Sequence, residues 1–332
     1  MSLSSGTSPR PPRVSVVIPA YNAAAFLGEA VDSVLAQTYG DWEAIIADDA
    51  STDSTFDVAC AIAVADARVR ALRLGRNSGP AAARNVAIAA SSGGELVALL
   101  DADDYWLPKY LESQVAQYDA AIAAGRRPGI VACDAVVQMP DGTSETFSER
   151  VGWLEPVTYE AMLERSYIFV SAMFTRAAYD EVGGFATDCW GSEDYDLWLR
   201  ILEAGYEIVE NRRAIAVYRY HHTSLSRSQL TMADAAIAAY TRALRRDTLT
   251  PRQRRAVRSR LRHYRALHQR ALVVEALHAR RALKAGVLAL GALPHGLVAF
   301  LQAPSRWREW VADLRPRGRK PRSPGPRPDA RS

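Results

Sequence analysis

The 332-residue chain is 48% hydrophobic, enough for a buried core, and its three scattered cysteines, Cys60, Cys133 and Cys189, exclude a disulfide framework or a zinc ribbon. A net charge of +4 hides a division, because residues 1–230 carry 18 Lys and Arg against 31 Asp and Glu, whereas residues 231–332 carry 23 against 6. An acidic globular body is thus joined to a basic segment suited to an anionic partner, either a lipid surface or a nucleic acid.

Residues 1–13 are rich in Ser and Pro and lack an apolar secretory core, so they read as a disordered leader, and the cysteine usage fits a reducing cytosol. Short apolar runs at 14–19, 42–47, 69–74 and 95–100 then read as strands, and the segments 24–37, 54–64, 80–90 and 108–124 as helices. This alternation predicts an α/β fold with a mainly parallel sheet and helices on both faces. Ligands of such sheets sit at the carboxyl ends of the strands. There lie Ala20-Tyr21-Asn22, Asp48-Asp49 and Asp101-Ala102-Asp103-Asp104, each directly after a strand. Strands at 130–139, 169–174 and 208–218 and a helix at 193–204 continue the pattern, giving one catalytic domain over residues 14–230. A basic helical extension over 231–314, broken at Thr250-Pro251, and a Pro/Arg-rich disordered tail over 315–332 complete the chain.

Three acidic clusters carry the chemistry. Carboxylates at the strand end Asp101–Asp104 can hold a hard divalent cation that bridges two phosphates, or form no more than a solvated turn before the next helix. Asp48 or Asp49 can accept a hydrogen bond from a base edge, while Ser51 and Asp53 are as readily helix caps. In Gly191-Ser192-Glu193-Asp194-Tyr195-Asp196 one carboxylate suffices to cap the helix, and another can act as a general base. Trp198 reads as core.

Taken together, Val14-Ser15-Val16-Val17-Ile18-Pro19-Ala20-Tyr21-Asn22, Asp48-Asp49-Ala50-Ser51-Thr52-Asp53, Asn77-Ser78-Gly79-Pro80-Ala81-Ala82-Ala83-Arg84-Asn85 and Asp101-Ala102-Asp103-Asp104 resemble the family-2 glycosyltransferases. Gly183-Gly184-Phe185 and Glu193-Asp194 extend the match over residues 14–226. The resemblance implies a GT-A fold with a C-terminal helical extension. It also implies an inverting single displacement, a nucleoside-diphosphate-sugar donor, most simply a UDP-sugar, and manganese or magnesium. Carried over by position, Pro19, Tyr21 and Asp48 line the base and ribose pocket, and Asp101-Ala102-Asp103 forms the DXD motif with Asp103 as metal ligand. Asp194 becomes the general base, Ser171-Ala172 borders the acceptor, and Arg84 neighbours a phosphate or is an ordinary exposed helix arginine. Tyr218-Arg219-Tyr220-His221-His222-Thr223-Ser224-Leu225-Ser226 resembles the family's Arg-x-His-x-x-Ser-x-Ser stretch. On that basis His221 completes the metal site, with His222 as its rival, and Ser224 or Ser226 touches phosphate.

Residues 285–303 are almost wholly apolar but interrupted by Pro294 and His295, which favours a broken helix pair lying in a membrane interface over a crossing. Arginines 280, 281, 306 and 308 flank it, so the extension is expected to meet an anionic membrane surface, or else to cap the catalytic body. No nucleic-acid partner is expected, since no stacking platform accompanies the charge. The expected enzyme works in the cytoplasm at the inner face of the plasma membrane, on a lipid-linked, polysaccharide or other glycan acceptor. Two alternatives are a nucleotidyltransferase, for which residues 20–28 lack the needed glycine-rich loop, and a nucleotide-sugar-binding protein without turnover.

Overall fold

Val14–Ala20 (β1) and Trp42–Asp48 (β2) are mainly apolar and buried on both faces, and in the computed structural model they lie side by side in a nine-stranded sheet. The structure describes residues 10–152, 158–164, 168–221, 224 and 228–278. With Val69–Arg73 (β3) and Leu96–Leu99 (β4) these strands run parallel in the order β3-β2-β1-β4. Met173–Thr175 (β8) joins β4 antiparallel and begins the second half, which continues through Pro128–Gln138 (β6), Glu207–Arg219 (β9) and Tyr105–Trp106 (β5). The short strand Ser144–Thr146 (β7) pairs with β6.

The helices follow from the spacing of their apolar residues. Leu27–Leu35 (α1) buries Leu27, Ala30, Val31 and Val34, the i, i+3, i+4, i+7 stripe of one helix face. That stripe packs with Tyr110 and Leu111 of Tyr110–Ala123 (α4) on the side of the sheet carrying Val14, Val16, Ile18, Leu96 and Ala98. Val17, Ile45, Val97 and Leu99 are equally buried and, by the two-residue period of a strand, face the other way. Pro80–Ala90 (α3) packs on β1 and β2 and opens with Pro80 at its first position, where the missing N–H costs nothing. Thr55–Ala65 (α2) packs on β3.

The chain divides into two compact units at Leu261 and Arg262. The first therefore continues past residue 230, where the sequence rhythm changes, and takes in Gln229–Leu244 (α9). The reason lies in Glu193–Glu203 (α8): its Tyr195 and Tyr240 of α9 meet edge to face, and both hydroxyls reach backbone oxygens of Tyr159–Glu164 (α6), Met162 and Leu163. Two further short helices, Phe147–Val151 (α5) and Arg176–Glu181 (α7), lie in the second half of the domain. Pro251–His278 (α10) is one continuous helix. The expected leader, the apolar segment 285–303 with its flanking arginines, and the tail 315–332 lie outside the described residues, save for residues 10–13 of the leader. No described helix is long and apolar enough to cross a membrane.

Candidate active site

The polar residues that follow β1, β2 and β4 do meet at one end of the sheet, because those strands are parallel neighbours in register, Ala20 facing Asp48. The turns after β1 and β2 are clasped. Asn22 donates its backbone N–H to Ser51 Oγ (2.9 Å) and accepts from the Thr52 N–H (2.9 Å). Pro19 lies in β1, and Tyr21 stands 48% exposed on the rim above it. Asp48 is fully buried, accepts from the Ser51 N–H and lies 3.3 Å from the Arg73 guanidinium. Sequence reasoning missed Arg73, whose only signal is its register opposite Asp48 across β2 and β3. Asp49 turns the other way and accepts from the N–H groups of Ser78 (2.8 Å) and Gly79 (2.7 Å) just before α3. Gly79 has a φ of +86°, which an L side chain would strain.

Around the carboxylates after β4, Asp103 Oδ2 lies 2.9 Å from His221 Nε2, and the His221 ring stacks on Phe26 at 5.1 Å. His221 is thus the imidazole placed at this site; His222 and Ser226 lie outside the described residues. Ser224 is buried, and its hydroxyl accepts from the His221 N–H and closes the turn. Asp104 accepts from the Arg219 N–H (3.0 Å) through one oxygen, and its buried Oδ2 has no partner among the described residues. Burial first, then Asp103 and Asp101, push the Asp104 carboxyl well above its ordinary range. Burial and Asp101 also raise Asp103, against the pull of His221. Burial is the larger cause for both, and the like charge of the neighbouring carboxylates adds to it. Oxygens of Asp101, Asp103 and Asp104 come within 4.8 Å of one another, an all-oxygen set that fits a hard divalent cation, with the His221 nitrogen alongside.

Arg84 links this cluster to α8. It is neither exposed nor open to a phosphate: 3% accessible, it closes one terminal nitrogen on Asp101 Oδ1 (2.7 Å) and the other on Glu193 Oε1 (2.5 Å). Its neighbour Asn85 holds the Gly183-Gly184-Phe185 turn, donating to Phe185 O (2.9 Å) and accepting from the Phe185 N–H (3.0 Å). A Cβ on Gly184 would meet the Tyr179 hydroxyl at 2.9 Å, so only glycine fits there. Glu193 also accepts from the Gly191 N–H, and the whole side chain is buried. Asp196 is sealed by Arg200 of its own helix (2.8 Å), by Arg242 in the last turn of α9 (3.3 Å) and by Arg246 just past the end of α9. Ser192, at the head of α8, donates its hydroxyl to Ala235 O of α9 (2.6 Å) instead of capping its own helix.

Asp194 alone of these three carboxylates has no cation closed on it among the described residues; it accepts from the Tyr195 N–H (2.7 Å). Burial and Glu193 raise its carboxyl to about 7, partly offset by Arg84. Ser171 and Ala172, expected at the acceptor, are instead fully buried, with Ser171 O accepting from the Tyr110 hydroxyl. Trp198 is core, edge-on to Phe174.

A mixed sheet whose strand ends gather a carboxylate cluster, with an isolated carboxylate at the head of helix α8, has the architecture of a GT-A glycosyltransferase. The pattern of the glycosyl transferase family 2 matches residues 15–183, and that of the N-terminal domain of galactosyltransferase matches residues 166–224. The UDP-Glc:alpha-D-GlcNAc-diphosphoundecaprenol beta-1,3-glucosyltransferase WfaP of Escherichia coli is 31% identical over 64% of this chain and 79% of its own. Among solved structures, S. aureus TarS 1-349 in complex with UDP-GlcNAc superposes with a TM-score of 0.60 at 16% identity, covering 90% of this chain and 92% of that one. The mannosyltransferase PcManGT from Pyrobaculum calidifontis, in complex with GDP-Man and Mn2+, gives 0.59 at 22% identity over 92% and 86%. The chain belongs to glycosyl transferase family 2, and it is a glycosyltransferase.

Proposed function

We propose that this glycosyltransferase moves a sugar from a nucleoside diphosphate, UDP in the simplest case, to a hydroxyl of a lipid-linked or polysaccharide acceptor, with inversion at the anomeric carbon. The observation that carries this reading is the Asp101–Arg84–Glu193 ion-pair chain, which sets the carboxylate cluster beside Asp194, on which no cation is closed among the described residues. Pro19, Tyr21 and Asp48, at the adjoining strand ends, line the base and ribose pocket, with Arg73 holding Asp48 in place. Asp101, Asp103 and Asp104 would hold a divalent cation, manganese or magnesium, with His221 completing the set. When bound, that cation offsets the charge that develops on the departing diphosphate.

The chain's own groups do the rest. Asp194, ionised above about pH 7, takes the acceptor hydroxyl proton as the oxygen forms its bond to the anomeric carbon. The bond from that carbon to the phosphate oxygen breaks on the opposite side, its electron pair leaves with the diphosphate, and one displacement inverts the configuration. Arg84 holds Asp101 and Glu193 in place through its two ion pairs. The nucleotide complexes of TarS and PcManGT and the lipid diphosphate acceptor in the name of WfaP support the donor and acceptor classes. An acceptor on a lipid also gives the basic extension over 231–314 its role, meeting an anionic membrane surface from the cytoplasmic side.

A screen of nucleotide sugars, read as nucleoside diphosphate release with manganese, magnesium or chelator, tests this. Release from a UDP-sugar that needs the metal and yields the inverted anomer is the expected result. Tight nucleotide binding with no release from any donor would favour a binding protein instead.

A further inference from the structure

Helix α10 carries Arg252, Arg255, Arg258, Arg262 and Arg265 at successive steps of three, three, four and three residues. At 3.6 residues per turn these positions fall on one face, as a ridge about 20 Å long. All five are exposed, whereas Val257 and Leu261, from the opposite arc of the same helix, are buried. None of the five has an ion pair or side-chain hydrogen bond among the described residues, and the only acidic residue in the helix is Glu275, beyond the ridge. Neighbouring Arg254 behaves differently: it donates to Leu244 O (2.8 Å) and Arg246 O (2.9 Å) and fastens the helix start. Like charges three and four apart oppose helix formation, so the ridge works against the stability of the element that bears it.

We infer that this arginine ridge is the surface through which the enzyme meets an anionic membrane, its guanidinium groups pairing with lipid phosphates. The inference rests on the proposed lipid-linked acceptor and narrows the contact from the whole extension to one helix face. Guanidinium groups pair with phosphate in a planar, bidentate way, which suits a row of headgroups. No aromatic residue lies in the ridge to stack a base, which disfavours single-stranded nucleic acid. Each arginine near such a surface strengthens binding about five-fold.

The test uses full-length protein and vesicles of phosphatidylcholine with or without phosphatidylglycerol. Wild type should sediment with the anionic vesicles alone, and less as salt is raised. The triple variant Arg255→Gln, Arg258→Gln, Arg262→Gln should bind them about 100-fold more weakly, while its melting temperature holds or rises and its UDP affinity is unchanged. If that variant sediments like wild type, the ridge is not the contact, although the membrane reading survives. Wild type that stays in solution at low salt overturns the membrane reading and the ridge with it. Tighter binding to single-stranded RNA than to vesicles at the same salt overturns the lipid assignment and gives the ridge a different partner.

Discussion

Around Asp101, Asp103 and Asp104, the Arg84 guanidinium is closed on Asp101 and the His221 imidazole on Asp103, while Asp104 takes the Arg219 N–H and has the Arg219 guanidinium nearby. Around Glu193, Asp194 and Asp196, four guanidinium groups are present, but all of them are closed on Glu193 and Asp196. The first region keeps more negative charge than its partners balance, which suits an added cation. In the second the surplus is confined to one residue, Asp194, which suits a base. Both look alike as runs of acidic residues, and what separates them is the supply of arginine from distant parts of the chain.

Removing the shared arginine should blur the distinction most. Arg84→Ala leaves Asp101 and buried Glu193 without their partner, and losing one member of a buried pair costs about 3–5 kcal/mol. Chemical denaturation should show that loss, and adding Glu193→Gln should restore part of it. A single variant as stable as wild type would mean that the two regions stand independently.

Next in size is the isolation of the base. Asp194→Asn should lower turnover by at least about 100-fold while leaving UDP affinity unchanged. It should also raise the melting temperature at pH 8, because a carboxyl lifted from 3.8 to about 7 by folding opposes the fold when ionised. That advantage should shrink as pH falls from about 7 toward 4 and vanish below, where folded and unfolded chains are both protonated. Wild-type turnover should likewise fall as pH drops through about 7. A variant with normal turnover would send the acceptor proton elsewhere.

The smallest of the three effects sharpens the first region. Calorimetry of UDP binding with manganese should show about a tenfold or greater loss for Asp103→Ala, at least that of losing a group that merely supports a metal ligand. Equal affinity in both proteins would remove Asp103 from the cation site.

Much of this was legible in the sequence. The βαβ rhythm placed β1 to β4 and the helices between them, because buried parallel strands are continuous apolar runs. The strands β5 and β7, of two and three residues, are too short to show a period. The acidic clusters were visible, and so was their place after strands. Their partners were not: Arg84 lies 109 residues from Glu193, and Arg246 lies 50 from Asp196. No local pattern reports such pairs. Ser171-Ala172 shows the converse: the resemblance sets them beside the acceptor, and packing of the sheet around Tyr110 buries them.

The clasp between the turns after β1 and β2 has a consequence for the kinetics of donor capture. Asn22 and Ala50 hold left-handed backbone, with φ of +50° and +57°, and for alanine that conformation costs about 1 kcal/mol. Asn22 and Ser51 lock the two turns together across the strands, so the ordering cost is met when the chain folds. On the proposed donor site, an incoming nucleotide therefore meets a rim already shaped. Its association should run close to the rate of diffusional encounter, with a single kinetic phase and no slow loop closure at this edge of the pocket.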